Sequence, residues 1–166
     1  MIILVADTSI LIDLERGDLL AAALSGPDTI ATPDLLYAQE LEPSGGRAML
    51  ALGLQVIELS PAEMSTTQDI YRAEGTRLSL PDCSAYVCAC RNEHVLLTGD
   101  QRLRSYSESQ ATECHGLLWL LDRLHDNQTA DAESLFDGLT RISAHRQCRL
   151  PRDEVSSRLR RWKASR

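Results

Sequence analysis

The stretch MIILVADTS at residues 1–9 is the most informative part of this chain about its fold. Its first six residues are apolar and uncharged, which is typical of a strand that is buried on both faces. Such strands belong to parallel α/β sheets, which bind ligands at the carboxyl ends of their strands. Asp7 follows the run directly, so the first charge of the chain is predicted to lie at a ligand-binding edge. A second interpretation, that Asp7 only caps the next helix, remains open on this stretch alone.

Further apolar runs alternate with helical patterns along the chain. Strands are predicted at Ile2–Ala6, Thr29–Thr32, Gln55–Leu59, His94–Thr98 and Ala111–His115. This alternation indicates βαβ units around a parallel sheet. Right-handed crossovers then bring the carboxyl ends of the strands to one edge.

Several helix starts carry clear signals. Thr32-Pro33 is predicted to be an N-cap followed by proline at the first helical position. Ser60 with Glu63 forms a predicted capping box, and Ser79 with Asp82 is a looser version of it. An apolar helix is predicted over 117–124, and two more helices over about 130–143 and 151–163.

Composition indicates one globular domain of 166 residues, 43% of them hydrophobic. No apolar stretch reaches the roughly 18 residues that cross a membrane, and the start lacks the basic segment of a signal peptide. We therefore expect a cytoplasmic protein without membrane contact.

Five cysteines, an odd number, indicate free thiols. Cys83 and Cys88 are expected to pack within one helix, with a structural zinc site as the weaker alternative.

Charge is distributed unevenly over the chain, whose net charge is −7. Residues 141–166 hold nine basic residues against Asp153 and Glu154, whereas residues 1–140 hold 8 basic and 22 acidic residues. A basic tail on an acidic body indicates contact with nucleic acid or with the acidic body itself. A merely solvated helix face is the remaining alternative.

Three further carboxylates are predicted to reach the edge where Asp7 lies. Asp100 follows the strand His94–Thr98 through one glycine, Asp82 begins the helix that leads into this strand, and Glu40 lies on the helix after the second strand. Carboxylates that converge repel one another and cannot all stay ionised without a cation. Hard oxygen ligands of this kind suit Mg²⁺ or Mn²⁺, and such an ion can activate water for phosphodiester cleavage.

Each of these acids also has a purely structural interpretation. Asp82 and Asp100 could serve only as residues at helix starts. Glu40 could be an ordinary surface residue of a helix, and Glu42 is a nearby competitor for its place.

Four segments together resemble the PIN domain family: VADTS at 5–9, EL at 40–41, LPD at 80–82 and LLTGDQRL at 96–103. The resemblance covers about residues 1–125, and the size and spacing are similar to VapC-type toxin ribonucleases and related small bacterial PIN proteins. It implies a three-layer α/β/α sandwich around a central parallel sheet. It also implies a metal-dependent endonuclease that acts on single-stranded RNA.

The resemblance also implies roles for individual residues. The metal-binding and catalytic quartet would be Asp7, Glu40, Asp82 and Asp100. Hydroxyl groups supporting the metal or the phosphate would be Thr8, Ser9 and Thr98. Residues 1–125 would form the nuclease domain, and 126–166 a helical C-terminal extension with a basic tail.

Contacts with partners are expected mainly from the basic side chains. The predicted RNA contacts are Arg102, Arg158, Arg160 and Arg161, and Trp162 is the better of the two tryptophans for base stacking. A toxin of this kind would have a small antitoxin partner, and we expect a homodimer.

Other α/β enzymes fit the sequence less well. A phosphate-accepting receiver domain needs a lysine near its last strands, but Lys163 in the tail is the only lysine. A haloacid-dehalogenase-like phosphatase needs a second aspartate at the position of Ser9, and a dinucleotide or P-loop enzyme needs a glycine-rich first turn. A non-catalytic binding or scaffold protein with the PIN fold remains the alternative to the nuclease.

Overall fold

The computed structural model describes residues 1–165, which form one parallel sheet flanked by helices. The sheet has five strands within these residues, in the order β3-β2-β1-β4-β5. The strands are β1 (Ile3–Ala6), β2 (Thr29–Pro33), β3 (Gln55–Ile57), β4 (His94–Leu97) and β5 (Cys114–His115). The strand β5 is shorter than predicted. Ala111 has a φ of 53°, a left-handed conformation that extended chain does not use, and the amides of Ala111 and Thr112 donate to carbonyl groups of residues 107 and 108 instead of pairing in the sheet.

Helices cover both faces of this sheet, which confirms the predicted three-layer α/β/α sandwich. The α-helices in the described part of the chain are α1 (Thr8–Arg16), α2 (Leu20–Leu24), α3 (Asp34–Leu36), α4 (Gly46–Leu52), α5 (Pro61–Glu74), α6 (Leu80–Ala89), α7 (Gln101–Ser109), α8 (Leu117–Asp126), α9 (Ala132–Ala144) and α10 (Arg152–Ala164). Between α3 and α4 the chain makes a widened π-helical turn at Tyr37–Leu41 and a 3₁₀ turn at Glu42–Ser44.

The core forms around β1, the central strand. Leu4, Val5 and Ala6 are almost completely buried, as are Leu96 and Leu97 of the neighbouring β4. Each buried side chain of the size of valine or leucine contributes roughly 1.5–3 kcal/mol. An uncharged run such as residues 1–6 can occupy this place because helices cover the strand from both sides.

One predicted helix start is wrong. Thr32 and Pro33 belong to β2, where they pair with Val56 and Ile57 of β3, and α3 begins only at Asp34. The pairing with β3 extends the strand through the two residues that resemble a helix cap in the sequence. The other predicted starts are confirmed: Ser60 caps α5 and Ser79 caps α6, each in a reciprocal capping box.

The three C-terminal helices pack against the rest of the protein. Helix α9 passes so close to α1 that a Cβ added to Gly138 would lie 2.8 Å from the carbonyl oxygen of Gly17. The guanidinium groups of Arg158 and Arg161 both bind the Asp122 carboxylate of α8, at 2.6 and 2.5 Å. We call this group of three side chains the C-terminal clamp. It ties α10 to α8.

Two smaller predictions concern the cysteines and the membrane. Cys83 and Cys88 are buried in α6 as free thiols, as predicted. No helix within residues 1–165 is long and apolar enough to span a membrane.

Candidate active site

The candidate site lies at the carboxyl edge of the sheet, where β1 and β4 end side by side. Ala6 pairs with Leu97, and the Asp7 amide continues the pairing by donating to the Leu97 carbonyl at 3.0 Å. The next residues, Asp7 and Thr98, therefore face each other. Both are buried, with Asp7 only 3% exposed.

Asp7 is held by hydroxyl groups from both loops. Ser9 Oγ donates to Asp7 Oδ1 at 2.6 Å, and Thr98 Oγ1 donates to Oδ2. The Ile10 amide also donates to Oδ1, so Asp7 does cap α1. Burial raises the pKa of the Asp7 carboxyl from 3.8 to about 6, despite these hydrogen bonds, and the charge of Asp82 acts in the same direction as burial. A cap alone would not require a carboxylate in so unfavourable a place.

The loop that carries Asp100 is linked to Asp7 through the hydroxyl groups of Thr98 and Ser9. The Asp100 amide donates to Thr98 Oγ1 at 3.0 Å, and the Gly99 amide donates to Ser9 Oγ at 3.0 Å. The Asp100 carboxylate accepts from the amides of Arg102 and Leu103, and so caps α7. The two hydroxyls thus fix the loops after β1 and β4 to one another.

Glu40 approaches the same edge from the widened turn at Tyr37–Leu41. Thr8 Oγ1 donates to Glu40 Oε1 at 3.1 Å, whereas the competing Glu42 is exposed. The pKa of the Glu40 carboxyl is raised, first by burial and also by the charge of Asp82. The π-helical turn, which sequence periodicity does not reveal, sets the position of this side chain.

Asp82 begins α6 and completes the acidic group. Its carboxylate accepts a hydrogen bond from the Ser79 amide at 3.0 Å. Its charge raises the pKa of both Asp7 and Glu40. Asp7 and Glu40 therefore both lie within electrostatic reach of Asp82.

Four carboxylates supply the hard oxygen donors that a divalent cation prefers, and a cation would relieve the repulsion of Asp82 with both Asp7 and Glu40. Their chemistry thus fits a metal held by Asp7, Glu40, Asp82 and Asp100. Within residues 1–165, however, no three His, Cys, Asp or Glu side chains already form a group that could hold a metal ion. Asp82 and Asp100 each accept hydrogen bonds at the start of their own helix.

A cleft of about 800 Å³ opens beside Ser9 and Asp100. It lies between α1, the start of α7, the start of α8 and the segment 146–151. We call it the arginine cleft, because its lining includes Arg16, Arg104, Arg146, Arg149 and Arg158. Four of these five arginines were not predicted from the sequence. The charge asymmetry of residues 141–166 points to Arg146 and Arg149, but no sequence signal points to Arg16 or Arg104.

The predicted RNA-contact arginines occupy different environments. Arg158 lines the arginine cleft and belongs to the C-terminal clamp, and Arg161 belongs to the clamp alone. Arg102 and Arg160 are exposed. Contact of these four side chains with RNA stays a prediction.

The predicted stacking role of Trp162 is wrong, because this side chain is completely buried. Trp162 is instead a core residue through which α10 packs against the rest of the protein. Trp119 is instead partly exposed in the arginine cleft, with its ring stacked on His115 at a centroid distance of 4.1 Å.

Comparison with known proteins agrees with this geometry. The DUF3368 family model, described as a PIN domain, matches residues 3–164. No curated protein matches the chain significantly. The family match includes α8, α9 and α10, beyond the residues on which the resemblance in the sequence rests. PIN domains are generally nucleases. Since the match spans almost the whole sequence, this chain belongs to the PIN domain family.

Proposed function

We propose that this protein is a metal-dependent endoribonuclease that cleaves phosphodiester bonds in single-stranded RNA. The observation that carries the proposal is the convergence of Asp7, Glu40 and Asp82 at the carboxyl edge of β1 and β4, where the charge of Asp82 raises the pKa of both other carboxyls. The nuclease-type fold of the family supports it. A stabilising role alone would not place Asp7 and Glu40 where the charge of Asp82 disfavours the ionisation of both.

In this proposal Asp7, Glu40, Asp82 and Asp100 would hold Mg²⁺ or Mn²⁺. When bound, the ion supplies an activated water and stabilises charge on the phosphate oxygens. The protein's own hydroxyls orient the ligands: Ser9 and Thr98 fix Asp7, and Thr8 fixes Glu40. Because the pKa of Asp7 is about 6, its carboxylate is mostly ionised at about pH 7.5 and available as an acceptor.

Cleavage of a fluorescent single-stranded RNA tests the proposal. Wild-type protein should cleave with Mg²⁺ or Mn²⁺ and stop in EDTA, and Asp7→Asn should lower the rate at least about a hundredfold. Asp69→Asn is the matched control, since Asp69 lies on the exposed face of α5 with a side chain 70% exposed. Equal, metal-independent rates for wild type and Asp7→Asn would exclude the nuclease.

A non-catalytic protein that binds nucleic acid or acts as a scaffold is the second candidate. It is favoured by the absence, within the described residues, of three acidic side chains already grouped for a metal. RNA binding without cleavage under all metal conditions would support it.

We further propose that the protein is a cytoplasmic, homodimeric toxin of a toxin–antitoxin pair. The support is the similarity in size and motif spacing to VapC-type toxins. The antitoxin would be a small protein with a segment that covers the acidic edge. Co-purification with the product of a neighbouring small reading frame, and a dimeric mass in light scattering, are the expected results.

A further inference from the structure

The arginine cleft carries an inference that rests on the proposed ribonuclease function and extends it. The cleft adjoins the candidate site directly, because Ser9, Gly99 and Asp100 belong to its lining. Any polymer that enters the acidic edge from this side must therefore pass along the cleft.

The charge of the lining is opposite to that of the chain. Five arginines face the cleft against Asp13, Asp100 and Glu154, while the net charge of the chain is −7. Arg16 already binds Asp13 at 3.3 Å. Arg146 and Arg149 are exposed and form no ion pair within residues 1–165. These two guanidinium groups are available to an anionic ligand.

An aromatic stack stands in the same lining. The rings of His115 and Trp119 are 4.1 Å apart and inclined by only 5°. The His115 carbonyl accepts the Thr98 amide at 3.0 Å, so the stack begins on β5, and β4 alone lies between it and the strand that precedes Asp7. Guanidinium groups beside aromatic rings are the combination that binds single-stranded nucleic acid, through phosphates and bases respectively.

We propose that the arginine cleft binds the stretch of single-stranded RNA next to the cleaved bond. One base stacks on the His115 ring and extends the stack with Trp119, and Arg146 and Arg149 hold the neighbouring phosphates. An acidic protein segment is the other polyanion that could enter, but it would leave the aromatic rings unused. The segment between α9 and α10, which carries Arg146 and Arg149, therefore has a role in binding RNA.

The phosphate contacts are tested by salt dependence. Binding of a fluorescent RNA of about 12 nucleotides is measured by anisotropy in EDTA, so that no cleavage occurs. Arg146→Ala/Arg149→Ala should raise Kd about tenfold. It should also reduce the slope of log K against log salt by about 1.4, because each phosphate that an arginine no longer neutralises lowers the slope by about 0.7. The control Arg47→Ala/Arg77→Ala also removes two exposed arginines that form no ion pair within residues 1–165, but outside the cleft, and should leave the slope unchanged.

The stacking contact is tested with abasic probes. His115→Ala should weaken binding of the intact RNA about tenfold. A single abasic nucleotide, moved along the probe, should weaken wild-type binding at one position and cause no further weakening in His115→Ala. His94→Ala is the control, because His94 lies at the opposite end of the neighbouring strand β4.

The outcomes separate this inference from the proposed function. Unchanged RNA affinity in both cleft variants overturns the inference, even if wild type cleaves RNA. The same holds if these arginines bind a polyglutamate peptide but not RNA. If the salt and abasic effects occur as expected but the wild type cleaves no RNA, RNA binding by the arginine cleft is supported and the proposed ribonuclease function is refuted.

Discussion

Replacement of Asp7 by asparagine is expected to stabilise the metal-free protein at about pH 7.5, although it removes a carboxylate that the proposed chemistry needs. Asp7 is buried, and burial raises its pKa to about 6, against 3.8 for an ordinary aspartate. A raised pKa means that ionisation is less favourable in the folded state. At about 1.36 kcal/mol per pKa unit, the ionised carboxylate costs the folded protein roughly 3 kcal/mol at about pH 7.5.

Asparagine avoids this cost but loses a hydrogen bond. Its amide nitrogen cannot accept from the Thr98 hydroxyl, which already accepts from the Asp100 amide. Removal of a bond of this type costs about 1 kcal/mol. The net increase in the free energy of unfolding should therefore be about 2 kcal/mol.

Urea denaturation in EDTA measures this increase at two pH values. At about pH 5 the Asp7 carboxyl is mostly protonated in the folded wild type but mostly ionised in the unfolded chain, so the advantage of Asp7→Asn should fall by about 1.4 kcal/mol. The surface control Asp69→Asn should change stability by less than about 0.5 kcal/mol. If Asp7→Asn lowers stability at the higher pH, or if its effect does not depend on pH, the explanation by burial of charge is refuted.

Four further results are expected. Gly138→Ala should lower the free energy of unfolding by about 1–3 kcal/mol, because its Cβ would press on the Gly17 carbonyl. Because the ion pair with Arg91 lowers the pKa of Glu63 to about 2, its stabilisation should be complete above about pH 4.5 and vanish as the pH falls toward about 2. Glu63→Gln should therefore differ most from wild type above about pH 4.5. Asp122→Ala should cost about 1–2 kcal/mol, because both arginines of the C-terminal clamp lose their contact with Asp122, although these ion pairs are partly exposed and Arg158 keeps its contact with Glu154. Mg²⁺ at about a hundred times its Kd should stabilise the wild type by about 2.7 kcal/mol.

Each of these expectations has a control variant or an outcome that would contradict it. Gly26→Ala should be close to neutral, because its Cβ would meet only ordinary contacts at 3.4 Å. An Asp122→Ala variant as stable as wild type would show that the clamp contributes nothing. A pH profile of Glu63→Gln parallel to that of wild type between about pH 2 and 5 would contradict the ion-pair explanation. Absence of any Mg²⁺ effect on unfolding would contradict metal binding.

The strands and most helix starts of this protein follow from its sequence alone. An uncharged run such as residues 1–6 has only one favourable environment, a strand covered on both faces. The capping boxes at Ser60 and Ser79 were equally predictable, because each capping group is within three residues of the amide that it binds. The parallel order of the strands then brings Asp7 and Thr98 to one edge.

Tertiary packing, by contrast, determines which distant side chains meet. Pairing with β3 turned Thr32 from a predicted cap into a strand residue, and packing of α10 buried Trp162. The arginine cleft likewise assembles from four separate parts of the chain. Local periodicity encodes which backbone conformation and which buried face a segment prefers, whereas the partners of charged and aromatic side chains depend on how the completed helices cross.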